Sequence, residues 1–122
     1  MDANEFQKKA HEFAIYPSPT LIETTGDQSF VRTLDYVYPA LALAEEAGEV
    51  AGKYAKAVRD CDGHIDAERR DAIKKELGDV MWFVAELSTQ LGLTLEEVMA
   101  ANIEKLTSRK ARGVISGSGD NR

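Results

Sequence analysis

Cysteine is almost absent from this chain. The 122 residues hold one, Cys61, so no disulfide can close within the chain, and the thiol reads as a reduced side chain of a cytosolic protein. Metal-ligand cysteine spacing is missing with it. Histidine is scarce as well, with only His11 and His64. Lys8 and Cys61 stand three residues before them, so the Glu-x-x-His pattern of a di-iron carboxylate bundle is missing. Both histidines read as ordinary surface or loop residues. An excess of positive charge is lacking too: the formal net charge is −6. Such a chain suits a protein that gathers cations, and it argues against nucleic-acid or anionic-membrane partners. There is no basic-then-apolar leader and no apolar run of membrane-spanning length, so the cytoplasm is the expected compartment. No internal repeat and no linker divides the sequence, which is read as one domain over residues 1–122 with a modest core.

Strand-type alternation is also missing in this reading, and helical periodicity is plentiful. Residues Asp2 to Ala14 predict a short helix with Phe6, Ala10, Phe13 and Ala14 on one side. Pro17 and Pro19 break the chain, and the polar stretch from Ser18 to Ser29 predicts a loop. A helical run from Phe30 to Arg59 contains Pro39, which fits best in the first turn of a helix that starts near it. Leu43, Ala47, Val50, Ala51, Tyr54 and Val58 form its apolar stripe. Cys61 to His64 form a turn. A third helix is expected from Ala67 to Leu91, ended by Gly92, with Ile73, Leu77, Val80, Val84, Leu87 and Leu91 as its stripe. Thr94 and Glu97 have the spacing of a capping box and open a last helix towards Arg109. The tail, residues 113–122, is rich in Gly and Ser and reads as extended. The expected fold is all-α, a bundle of four to five helices. From Val80 to Ala85 the third helix is apolar all round, which predicts that Trp82 or Phe83 is covered by a second subunit.

What is present in quantity is carboxylate. Glu45, Glu46 and Glu49 crowd the second helix, and Glu76 and Asp79 the third. A spacing of three residues stacks two carboxylates on one helix face. Measured around each helix, Glu46 and Glu76 fall at the edge of the core stripe, with Glu49 and Asp79 one step further out. Lys53 continues the strip of Glu46 and Glu49. Two such pairs on packed helices would line a groove, and their mutual repulsion would raise their pKa values unless a cation neutralised them. An all-oxygen ligand set points to Mg²⁺ or Mn²⁺. Glu runs are ordinarily solvated helix faces. Gly48 and Gly78, set between the paired carboxylates, weaken their helices, and they suggest close helix approach.

The run Glu45-Glu46-Ala47-Gly48-Glu49, followed by Glu76-Leu77-Gly78-Asp79, resembles the signature of the MazG-like all-α nucleoside triphosphate pyrophosphohydrolases. Tyr38-Pro39-Ala40-Leu41, the run Asn102 to Leu106 with Arg109, and the closing Gly117-Ser118-Gly119-Asp120-Asn121-Arg122 are similar to short phage and bacterial members. The resemblance covers residues from about Tyr36 onwards. It implies hydrolysis of (deoxy)nucleoside triphosphates to the monophosphate and pyrophosphate, and a dimer or dimer of dimers. It implies that Glu46, Glu49, Glu76 and Asp79 hold Mg²⁺, with Mn²⁺ as a substitute, and that Glu46 or Glu49 serves the attacking water. Glu45 would be accessory. Lys53, Asn102, Lys105 and Arg109 would face the phosphates, in part across a subunit interface. The phage-like character is similar to the MazZ-like branch, which prefers dGTP and GTP and would act in a host cytoplasm. Two other readings compete. One is a phosphoribosyl-ATP pyrophosphohydrolase-like enzyme. The other is a non-catalytic helical dimer that binds a partner through its Trp82 face.

Overall fold

Two long helices form the spine of the molecule, a computed structural model in which residues 1–121 are described. Helix α2 spans Val37–Cys61 and α3 spans Ala67–Gln90. Pro39 sits in the first turn of α2, where its missing N–H takes no hydrogen bond from the helix, and it is fully buried. Asp62 ends α2 in the left-handed region at φ 51°, a conformation that Asp tolerates and that turns the chain sharply. Asp66 then caps α3, its carboxylate accepting from the Arg69 N–H at 2.8 Å. Tyr38 meets Phe83 and Lys53 meets Glu76, so the two helices run antiparallel.

Helix α1, Ala3–His11, and helix α4, Leu95–Ala111, both pack on α3 and on each other. The core lies where the three meet: Ala10, Ala85 and Leu95, with Ala3, Phe6, Trp82 and Val84 against them. Helix α4 opens with the capping box expected from Thr94 and Glu97. No helix among the described residues is long and apolar enough to cross a membrane.

Several expectations are corrected. The loop over Ser18–Ser29 and the helical run from Phe30 are replaced by a β-hairpin: β1, Thr20–Thr25, pairs antiparallel with β2, Gln28–Thr33, with Ile22 opposite Val31. Gly26, at φ 60°, makes the tight turn. Every residue of both strands is exposed. With neither face buried there was no apolar side to betray the period. The first helix stops at His11, short of Ala14. Phe13 beyond it is exposed.

The helix stripes are only partly covered. On α2 the buried residues are Pro39, Ala42 and Ala57, while Ala47, Ala51, Tyr54 and Val58 are exposed. On α3 Leu77 and Leu91 are exposed. The reason is that α2 touches only α3 among the helices. Nor does Trp82 or Phe83 wait for a second subunit. The Trp82 indole N–H donates to the Ala10 carbonyl at 3.0 Å, and Phe83 is buried against Tyr38 and Trp82. Apolar side chains left uncovered on α2, α3 and α4 include Leu41, Val58, Leu77, Met81 and Ile103. Gly48 and Gly78 make no close approach: a Cβ at either would meet nothing within 4 Å.

Candidate metal centre and aromatic cleft

Antiparallel packing sets the middle of α2 against the first half of α3, and this brings the acidic clusters together. Glu46, Glu76 and Asp79 each offer a carboxylate oxygen within 4.8 Å of the others. Glu46 and Glu76 are half-buried and Asp79 is exposed. Burial first, then the charges of Asp79, Glu76, Glu45 and Glu49, push the Glu46 carboxyl above the ordinary carboxylate range. Lys53 partly answers this excess. Its ammonium lies 2.9 Å from Glu76 Oε1, and that bond and charge hold its pKa up. Glu45 and Glu49 are exposed and lie outside the three-carboxylate group.

Of the residues expected to face phosphate, Lys53 meets this group, whereas Asn102, Lys105 and Arg109 on α4 do not join it within one chain. Helix α4 has no contact with α2 among the described residues. Asn102 and Lys105 line a cleft of about 670 Å³ on α4, together with Leu93 and Glu97. Arg109 is buried, and its guanidinium donates to the carbonyls of Gly119 and Asp120 at 3.3 and 2.9 Å. Asp120 also approaches it at 3.4 Å and Lys105 at 4.0 Å. The tail thus folds back on α4. Arg122, the last residue of the closing motif, lies outside the described residues.

One turn beyond Asp79 on α3 stands Phe83. Phe83 lines a cleft of about 260 Å³ together with the aromatic rings of Phe13, Tyr16, Tyr38 and Trp82. Tyr16 and Tyr38 stack with centroids 5.7 Å apart, and Trp82 and Phe83 meet edge to face at 4.7 Å. Sequence reasoning missed what lies behind this cleft. Glu86 is fully buried; its Oε2 accepts from the Tyr16 hydroxyl at 2.9 Å and lies 3.1 Å from His11 Nδ1. Gln90 Nε2 donates to the Tyr16 oxygen at 2.9 Å. Burial, and then the bond to Glu86, hold the Tyr16 phenol above its usual pKa, so it stays a donor. His11, expected as an ordinary surface residue, is half exposed but belongs to this network. The one available signal was a Glu set inside the apolar run from Val80 to Leu87.

A family model described as the MazG nucleotide pyrophosphohydrolase domain matches residues 39–114. The chain belongs to the MazG nucleotide pyrophosphohydrolase family. The match covers α2, α3 and α4 and leaves out α1 and the hairpin. Over 122 residues this MazG-family chain is 48% identical to the Gene 37 protein of Mycobacterium phage L5, an alignment that spans all of both proteins. It is 40% identical to the uncharacterized protein YvdC of Bacillus subtilis (strain 168), across 55% of this chain and 68% of that one. No solved structure matches it. Family membership suggests a nucleotide pyrophosphohydrolase, acting on nucleotides and dependent on metal. The three clustered carboxylates fit a divalent cation: they are all-oxygen donors, close together, with more negative charge than Lys53 alone can balance.

Proposed function

We propose that this chain hydrolyses (deoxy)nucleoside triphosphates to the monophosphate and pyrophosphate with Mg²⁺, Mn²⁺ serving as a substitute. We further propose a preference for dGTP and GTP, by which it shapes the nucleotide pool of the cytoplasm, that of a host where the chain is phage-encoded. The observation that carries this reading is adjacency. Asp79 of the carboxylate group and Phe83 of the aromatic cleft lie one turn of α3 apart, a rise of about 6 Å. A nucleotide spans such a gap with its phosphates at the acids and its base among the rings.

Glu46, Glu49, Glu76 and Asp79 would hold the metal, with Glu45 accessory. Bound there, the metal would offset the repulsion between carboxylates and phosphates and acidify a water. Glu46 or Glu49 takes the proton of the attacking water, whose oxygen joins one phosphorus of the α–β bridge while the bridging oxygen leaves with the other. Lys53 turns from Glu76 to the phosphates. Lys105 and Arg109 neutralise the leaving pyrophosphate and Asn102 donates a hydrogen bond to it, Arg109 after release from Asp120. Because α4 stands clear of α2 within one chain, these residues reach the site from a second subunit, in a dimer or dimer of dimers. The exposed Leu41, Leu77, Met81 and Ile103 support that assembly.

A panel of deoxynucleoside and nucleoside triphosphates with Mg²⁺ or Mn²⁺ tests the reading. Pyrophosphate and monophosphate in equal amounts are expected. Orthophosphate with diphosphate, or no turnover of any member, contradicts it.

A further inference from the structure

The buried carboxylate behind the aromatic cleft is the least explained group in the molecule. Glu86 is 0% exposed. Leaving a charged or polar group there costs stability unless its hydrogen-bonding capacity is used. Only half of it is used: Oε2 has Tyr16 and His11, while Oε1 is buried without a hydrogen-bond partner among the described residues. An ionised carboxylate only accepts, at two oxygens with two lone pairs each. The unfilled capacity therefore calls for N–H or O–H donors.

The position of Glu86 says where the donors come from. It follows Trp82 by four residues and Phe83 by three, so all three share a face of α3. Helical side chains lean towards the N-terminus and cover the preceding turn. That turn carries Trp82 and Phe83, which line the cleft. Tyr16 lines the same cleft and is bonded to Glu86 directly. The carboxylate thus lies enclosed behind the lining of an aromatic cleft of about 260 Å³, a space suited to one planar heterocycle, and touches that lining through Tyr16.

We propose that Glu86 is the specificity-determining residue for the base, accepting the two adjacent N–H donors of guanine, its ring N1–H and its 2-amino group. Adenine, cytosine, thymine and uracil do not present two neighbouring donors on that edge, and each would leave one of the two bonds unmade. The Tyr16 hydroxyl, steadied by Gln90, holds Oε2 in place while Oε1 receives the base. A site built around such a bond rejects a ligand that lacks the donor more strongly than an apolar pocket can.

The proposal rests on the nucleotide pyrophosphohydrolase reading, and the test separates the two. Turnover is measured for dGTP, dATP and deoxyinosine triphosphate, which keeps the ring N–H but lacks the 2-amino group. In the unaltered protein dGTP should exceed deoxyinosine triphosphate in kcat/KM by about 10-fold or more, the scale of a lost bidentate base contact. Glu86→Gln should lower dGTP turnover by about 10- to 100-fold, leave dATP unchanged and abolish the difference between dGTP and deoxyinosine triphosphate. Equal use of dGTP and deoxyinosine triphosphate by the unaltered protein overturns the proposal, whether or not the variant folds. A parallel fall on all three substrates in Glu86→Gln overturns it too, since it marks a purely structural role. Binding of guanosine against adenosine without metal, read from the fluorescence of the single tryptophan, Trp82, covers the case in which no triphosphate is turned over. Selective guanosine quenching that Glu86→Gln removes supports the assignment of Glu86 even then, and equal binding of both nucleosides contradicts it.

Discussion

Helix α3 carries carboxylates in two places, Glu76 and Asp79 against α2 and Glu86 against His11 and Tyr16, and the two ends treat them differently. At one end Glu46, Glu76 and Asp79 crowd together, partly open to water, with Lys53 as their close cation among the described residues. At the other end Glu86 stands alone, sealed from water and gripped by Tyr16 and His11. Crowding raises the energy of negative charge, and a mobile cation relieves it. Isolation under aromatic rings leaves a carboxylate with empty acceptor sites, and a fixed donor relieves that. The first arrangement suits a metal and phosphate. The second suits the edge of a base. One side-chain type thereby serves two ends of one ligand, distinguished by neighbours and solvent alone.

The largest effect should come from removing one member of the crowd. Glu76→Gln and Asp79→Asn are each expected to lower kcat by about 10³-fold in a pyrophosphate-release assay, with helicity by circular dichroism unchanged. If both stay active, the crowded end is an ordinary acidic surface and the contrast fails. Mixing two inactive variants asks whether the crowded end is complete within one chain. Asp79→Asn with Lys105→Met should regain about a quarter of normal activity through mixed dimers that hold one intact site. Mixtures as inactive as their components would place Lys105 outside the site or within the same subunit's site.

The isolated end should answer in stability more than in rate. Tyr16→Phe strips Glu86 of its phenolic donor, and about 1–3 kcal/mol of stability should be lost in urea unfolding. A neutral result would mean that Glu86 is not held through Tyr16. The smallest effect concerns pH at the crowded end. The folded-state pKa of Glu46 is raised, so its contribution to stability is full below the ordinary value of about 4.5 and is lost as pH rises through the raised value. Metal-free protein should therefore lose a few degrees of Tm across that window, and Glu46→Gln should flatten the slope. Saturating Mg²⁺ should also reverse the loss at neutral pH. A slope unchanged in Glu46→Gln would remove Glu46 from the repulsive group.

How far each end was legible follows from the same contrast. Carboxylates spaced by three on two amphipathic helices announce a shared face, because helical geometry is local and the turn at 62–66 fixes the partner. Glu46, Glu76 and Asp79 could be grouped before any coordinates, and so could the capping box at Thr94. Glu86 could not. What makes it unusual is contact with Tyr16 and His11, residues 70 and more positions away, brought in by α1 folding across α3. The same packing hid the cover over Trp82, which a helix-by-helix reading assigned to another subunit. Arg109 is expected to face phosphate, and its burial was not legible because the tail that covers it has no regular pattern. The hairpin at 20–33 carries Thr, Ile, Val and Phe around a Gly26-Asp27 turn, a legible strand composition. Leu21-Ile22 and Phe30-Val31 break the alternation, since no face of it is buried.

The account stands on the crowded carboxylates being a divalent-cation site. Titration of the full chain with Mn²⁺, followed by electron paramagnetic resonance of the free ion, measures that directly. The unaltered protein should take up Mn²⁺ with saturable affinity that Mg²⁺ competes away, and Asp79→Asn should weaken it by about 10-fold or more. Free Mn²⁺ undiminished by the unaltered protein, or equal uptake by Asp79→Asn, would contradict the account.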